Sequence, residues 1–228
     1  MRDYILFIDT ETSGIPKNWN APYFDDGAWP HVVQIAWEIF SQDGTRIKSE
    51  NHYIQAVDFQ VDPASVKVHG LDERFLNENG EKRADVFRAL ASDLAQYQPL
   101  IVGHFVEFDN HMMEMGFRRA GLEYPGRDLP KFCTMTAGRI YGSRFYRPRS
   151  LRLDELYAVL FQKPLENHHD AQTDARATAD CFFEMLKKGD IARESISAQA
   201  SAPAREKNYA LFWVILFFIL FIITIIAC

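Results

Sequence analysis

YILFIDTE, from Tyr4 to Glu11, runs an apolar stretch straight into two carboxylates spaced one residue apart. A short continuous apolar run beside turn signals has the pattern of a strand buried on both faces. Side chains alternate along a strand, so Asp9 and Glu11 project from the same face. Two such carboxylates repel unless a cation lies between them, and Mg²⁺ is typically held by a few carboxylates together with substrate phosphate. Alternatively, Asp9 begins a turn and Glu11 is solvated beyond the strand end. This stretch alone leaves both readings open.

The neighbouring segments supply the rest of a sheet. Val32–Phe40 and Arg46–Ile54 are predicted strands joined across Ser41–Gly44, a hairpin signal. Between the first two strands lies the irregular segment Lys17–Pro30, with Trp19, Tyr23, Phe24 and Trp29. Such aromatics suit either base stacking or packing of a long loop onto its own domain, and packing is favoured. Further on, helices are predicted over Pro63–Val68, Asp72–Leu76, Ala84–Tyr97 and Asp109–Ala120, with short strands over Leu100–Gly103 and Lys131–Thr134. Leu153, Leu156, Tyr157, Leu160 and Phe161 form a helical stripe, and a last helix covers Ala171–Lys188. The predicted class is α/β, a mixed sheet covered by helices.

Two later stretches add acids. Asp109 ends GHFVEFD, just past a buried strand, where a helix N-cap is the alternative role. Asn167–Thr178, NHHDAQTDARAT, places His169 at a helix start and Asp174 inside the helix, where Asp has no propensity advantage. Four carboxylates, Asp9, Glu11, Asp109 and Asp174, suit a pair of Mg²⁺ ions holding the attacking and leaving oxygens of a phosphoryl displacement. A histidine near its ordinary pKa suits the general base.

FIDTET, HFVEFD and HHDAQTD, in this order, resemble the three motifs of the DEDDh 3′→5′ exonuclease family, the group of the polymerase III epsilon subunit and RNase T. The resemblance spans about residues 3–188. It implies a ribonuclease H-like fold with a five-stranded mixed sheet, and Asp9, Glu11, Asp109 and Asp174 as ligands of two Mg²⁺ or Mn²⁺ ions. The pattern His-x-Ala-x-x-Asp falls on His169, Ala171 and Asp174, which makes His169 the implied base rather than His168. Thr12 and Phe108 match positions that embrace the 3′-terminal nucleotide, and His69 matches a substrate-side His-Gly turn. Phe105 departs from the family, which often has Asn there.

The chain has 228 residues and a net charge of −6, which does not resemble a general nucleic-acid binder. Positive charge for a polyanion must then be local. Arg139, Arg144, Arg147, Arg149 and Arg152, interleaved with Tyr141, Phe145 and Tyr146, form such a strip, with Arg144 and Arg147 as candidate phosphate contacts. The alternative is a solvated loop whose arginines pair with nearby acids. Three widely spaced cysteines suggest a reducing compartment. The N-terminus does not have the form of a signal peptide.

Ala210–Ala227, ALFWVILFFILFIITIIA, carries no charge. As a helix it would rise about 27 Å, near the roughly 30 Å of a bilayer core. The expected organisation is an exonuclease domain over 1–192, a linker over 193–208 and a transmembrane tail anchor over 209–228. Arg205 and Lys207 then put the catalytic domain on the cytoplasmic side. The expected partners are single-stranded 3′ ends, the membrane, and a polymerase or repair complex. DNA is favoured over RNA. The rivals are an RNA-trimming exoribonuclease of the same family and a non-catalytic membrane-anchored binding module.

Overall fold

The computed structural model describes residues 2–143, 149–192, 194 and 196. Its strands are β1 (Tyr4–Thr12), β2 (Val32–Ser41), β3 (Arg46–Tyr53), β4 (Leu100–Gly103) and β5 (Lys131–Cys133). They form one sheet in the order β3-β2-β1-β4-β5, with β1–β2 and β2–β3 antiparallel and β1–β4 and β4–β5 parallel. The expected five-stranded mixed sheet is therefore present. The helices are α1 (Pro63–His69), α2 (Glu73–Asn79), α3 (Arg83–Tyr97), α4 (Val106–Arg119), α5 (Thr134–Ala137), α6 (Arg139–Gly142), α7 (Leu153–Phe161) and α8 (Ala171–Lys188).

The central strand explains why helices cover both faces. Leu6 and Ile8 of β1 enter a core with Leu90 and Leu94 of α3 and Met112 of α4. Ile5 and Phe7 enter a second core with Leu156 of α7 and Ala179 and Phe182 of α8. Period-two alternation thus feeds two separate cores from one apolar run. Gly44 turns the β2–β3 hairpin at φ 90°, where an L side chain would be strained.

The sequence places the start of α4 at Asp109, but the helix begins three residues earlier. Its N-cap is Phe105, in left-handed backbone (φ 80°, ψ 45°) and without a side-chain capping bond. Asp109 is therefore not a cap but a first-turn residue whose carboxylate is used elsewhere.

The long 17–30 loop divides in two. Tyr23 and Trp29 pack with His111 of α4, and the Tyr23 hydroxyl lies 2.6 Å from His111 Nδ1. Arg119 holds the far end of the loop through the Asp26 carboxylate at 2.5 Å and the Pro30 and Trp29 carbonyls at 2.6 and 2.9 Å. Packing, the favoured role, is what these residues do, whereas Trp19 and Phe24 stay exposed.

Among the described residues no helix is long and apolar enough to cross a membrane. Arg144, Arg147 and the anchor over 209–228 lie outside the described residues, as does nearly all of the 193–208 linker.

Candidate active site

Strand parity sorts the acids. Asp9 and Glu11 share the face of Ile5 and Phe7, the α8 side, whereas Thr10 shares the face of Leu6 and Ile8, the α4 side. Opposite them on β2, Ala36 pairs with Asp9 and Gln34 with Glu11. Ala36 packs against Ala171 and Ala175 of α8. These methyl side chains let the helix axis approach the sheet closely. Glu11, His169 and Asp174 consequently each present a ligand atom within 4.8 Å of the others.

From the other face, α4 delivers Asp109, which is buried and accepts a hydrogen bond from Thr10 Oγ1 to Oδ1 at 2.9 Å. Asp174 Oδ2 accepts the His169 backbone N–H at 3.1 Å, in a turn where His169 has φ 67°. The other oxygen, Asp174 Oδ1, is buried without a hydrogen-bond partner among the described residues.

The start of α8 is tied to β2 by one buried amide. Gln34 Nε2 donates to Asp170 Oδ2 at 2.9 Å and to Asn51 Oδ1 at 2.9 Å. Its Oε1 accepts the Ala171 N–H at 3.2 Å. Asp170 is the N-cap of α8, its Oδ1 accepting the Thr173 N–H at 2.9 Å.

The electrostatics are those of carboxylates crowded without a counter-charge. Burial, then Asp109, Asp174 and Glu11, raises Asp9 well above the usual carboxylate range. Burial, then Asp174 and Asp109, pushes Glu11 up to about 8. Burial lifts Asp109 to about 7 against the opposing pull of the Thr10 hydroxyl, and Asp174 to about 6 against that of the His169 N–H. His169 moves down, through burial first and then its positive neighbours His168 and Arg152, which favours a neutral ring ready to accept a proton.

A family model described as an exonuclease matches residues 6–182. The chain belongs to the exonuclease family. Among solved structures, exonuclease I is similar at 19% identity and TM-score 0.66, over 86% of this chain and 42% of that one. The zinc-bound complex of E. coli exonuclease I with single-stranded DNA is similar at 20% identity and TM-score 0.68, over 87% and 42%. A third is exonuclease I with SSB and an inhibitor, at 19% identity and TM-score 0.64, over 86% and 43%. This chain thus spans about two-fifths of the length of those proteins. At such identity the likeness shows the fold. No curated protein matches the chain.

The exonuclease family is divalent-metal dependent. The residues present fit a hard divalent cation: carboxylate oxygens of Glu11 on β1 and Asp174 on α8 converge with the His169 ring, one Asp174 oxygen is buried and unpartnered among the described residues, and Asp9 and Asp109 add negative charge nearby that calls for a positive partner.

The remaining candidates of this exonuclease-family chain have distinct environments. Thr12 is buried, and its hydroxyl donates to the Gly14 carbonyl at 2.7 Å. His69 Nδ1 accepts the Leu71 N–H at 3.0 Å, so Nε2 carries the proton and donates to the Thr12 carbonyl at 3.2 Å. Its first role is thus to pin the His-Gly turn to the end of β1. Phe108 is half-buried beside Asp109. In the arginine strip, Arg149 pairs with Glu155 at 2.6 Å and Arg152 with Asp154 at 2.6 Å, the alternative reading for these two residues.

Thr10, Gln34 and Asp170 were not singled out from sequence. Thr10 sits between the two acids, and its opposite parity aims it at the α4 side. Gln34 is a polar residue inside VVQIAWEIF, and that interruption is the only local trace of the tie.

Proposed function

We propose that this chain is a 3′→5′ exonuclease that hydrolyses the terminal phosphodiester of single-stranded nucleic acid, DNA in preference to RNA, and releases nucleoside 5′-monophosphates. The observation that carries this reading is the convergence of Glu11, His169 and Asp174 within 4.8 Å, with Asp9 close enough to Glu11, Asp109 and Asp174 for their charge to raise it. Asp9, Glu11, Asp109 and Asp174 would hold two Mg²⁺ or Mn²⁺ ions. When bound, these supply charge stabilisation to the attacking and leaving oxygens. His169, neutral at pH 7, takes the proton of the attacking water. Thr10 orients Asp109 and favours its ionised form. Gln34 and Asp170 fix the start of α8, and with it Asp174 and His169. The solved relatives in complex with single-stranded DNA support the substrate class.

The full chain, in detergent, is to be given 5′-labelled DNA and RNA strands of equal sequence. A ladder that shortens from the 3′ end, requires Mg²⁺ or Mn²⁺, and falls at least 10²-fold in Asp9→Ala and His169→Ala supports the reading. A faster RNA ladder would make the chain an exoribonuclease. No ladder from folded protein would favour the binding module.

Residues 209–228 are proposed as a tail anchor with residues 1–192 on the cytoplasmic side, on the length and lack of charge of that segment. Carbonate extraction tests this, since an anchored chain stays with the membrane pellet and release of intact protein opposes it.

A further inference from the structure

We propose that Trp19 and Phe105 form an aromatic ledge, contiguous with Phe108, on which a nucleobase of the strand's 3′ segment stacks. The proposal rests on the exonuclease reading for its ligand. Trp19 comes from the long loop and Phe105 from the residue before α4. Their ring centroids lie 5.8 Å apart, and Trp19 is 5.7 Å from Phe108, the neighbour of Asp109. The Phe105 and Phe108 rings are nearly parallel, inclined by 12°.

The ledge is unlike the packing cluster beside it. Tyr23, Trp29 and His111 pack on one another and Trp19 meets His111 edge-on at 6.4 Å, but Trp19 and Phe105 keep 42% and 37% of their surface exposed. Phe105 also holds φ 80°, a conformation that bulky L residues rarely adopt and that Asn or Gly tolerates better. An exposed aromatic ring on unfavourable backbone, four residues before a buried site carboxylate, carries two separate costs. A flat apolar partner arriving from solvent would offset the first and give the strained position a use.

A nucleobase fits that description. The chain is acidic overall and four carboxylates lie close together at the site, so phosphate attraction there is weak without bound metal. Base–aromatic stacking supplies affinity that is sequence-tolerant and does not depend on counterion release. The ledge thus grips bases while the metal site handles the phosphate.

The test uses the full chain and strands carrying 2-aminopurine at one of the last four positions. Stacking is read as fluorescence quenching before turnover, in a His169→Ala background. KM and kcat are measured in the otherwise wild-type chain. Trp19→Ala and Phe105→Ala are expected to abolish the quench at one position and to raise KM about 5- to 100-fold. The change in kcat should stay within about threefold, because stacking is made in ground and transition states alike. Phe105→Asn, which suits the backbone, guards against misfolding and should behave like Phe105→Ala. Phe105→Trp should keep the quench. The KM ratio should be the same at low and high salt. Folded variants with unchanged quench and KM, or a KM effect that vanishes with salt, would overturn the ledge. A wild-type chain that quenches without shortening strands would instead overturn the exonuclease reading and leave the ledge standing.

Discussion

At the residue scale, Asp109 shows two opposing pulls on a site carboxylate in the core. It is 3% exposed, and burial alone would favour its neutral form. The Thr10 hydroxyl, 2.9 Å away, offsets part of that. Thr10→Val keeps the shape and removes the donor, leaving a buried acceptor short of a partner at about 1–3 kcal/mol. Asp109 then becomes harder to ionise. Activity is expected to drop about tenfold, with the acidic limb of the pH–rate profile moving to higher pH. A profile unchanged in height and position would mean that Thr10 does not control Asp109. His169 behaves in the opposite sense. Its lowered pKa favours the neutral ring at pH 7, so the His169→Ala loss should be full-sized at neutral pH and shrink only as the pH falls below the ordinary histidine range.

At the element scale, the site depends on how α8 is seated. Gln34 is 1% exposed, and its side-chain amide bonds to Asn51, Asp170 and Ala171. Gln34→Ala unties the start of α8 from β2 and leaves those groups to find new partners. The expected result is a stable fold with kcat lowered about 10- to 100-fold, the loss expected when supporting partners of a metal site are removed, and with weaker Mg²⁺ dependence. A variant with wild-type kcat and metal response would reduce Gln34 to a core residue. Much of this layer was legible in the sequence. Apolar runs located the strands, and period-two alternation put Asp9 and Glu11 on one face. The start of α4 was not legible, because sequence rules look for a polar cap and Phe105 reaches the cap position through left-handed backbone. Gln34 was not legible either, because nothing local distinguishes a polar tie from an edge-facing residue until β2 is known to lie beneath α8.

At the scale of the whole molecule, the convergent acids link stability to pH. Free carboxyls titrate near 4. Between roughly pH 4 and 8 the unfolded chain has lost protons that Asp9, Glu11, Asp109 and Asp174 retain in the metal-free fold, so rising pH favours unfolding. The lowered histidines, His31 at about 4 among them, act in the opposite sense only below about pH 6.5, so the melting temperature of metal-free protein should decline from about pH 6.5 to pH 8. Mg²⁺ should restore it at pH 8 by about 2.7 kcal/mol at a hundredfold excess over Kd, roughly 5–10 °C. Glu11→Gln should raise the metal-free melting temperature at pH 8 and blunt the metal response. A flat pH dependence with no metal shift would mean that these carboxylates are not crowded in solution. The three motifs lie in different parts of the chain, and only the sheet order that sets β4 beside β1, with α8 across β1 and β2, brings them together. Their order along the chain was readable from sequence; the ties through Thr10 and Gln34 required the fold.

The most direct measurement follows Mn²⁺ binding by electron paramagnetic resonance and strand shortening in the same samples, for the full chain and for Asp174→Asn. The expected result is that Mn²⁺ binds the wild-type chain, that cleavage rises in step with occupancy, and that Asp174→Asn loses both. Equal Mn²⁺ binding in the two proteins, or cleavage that survives in Asp174→Asn, would contradict it.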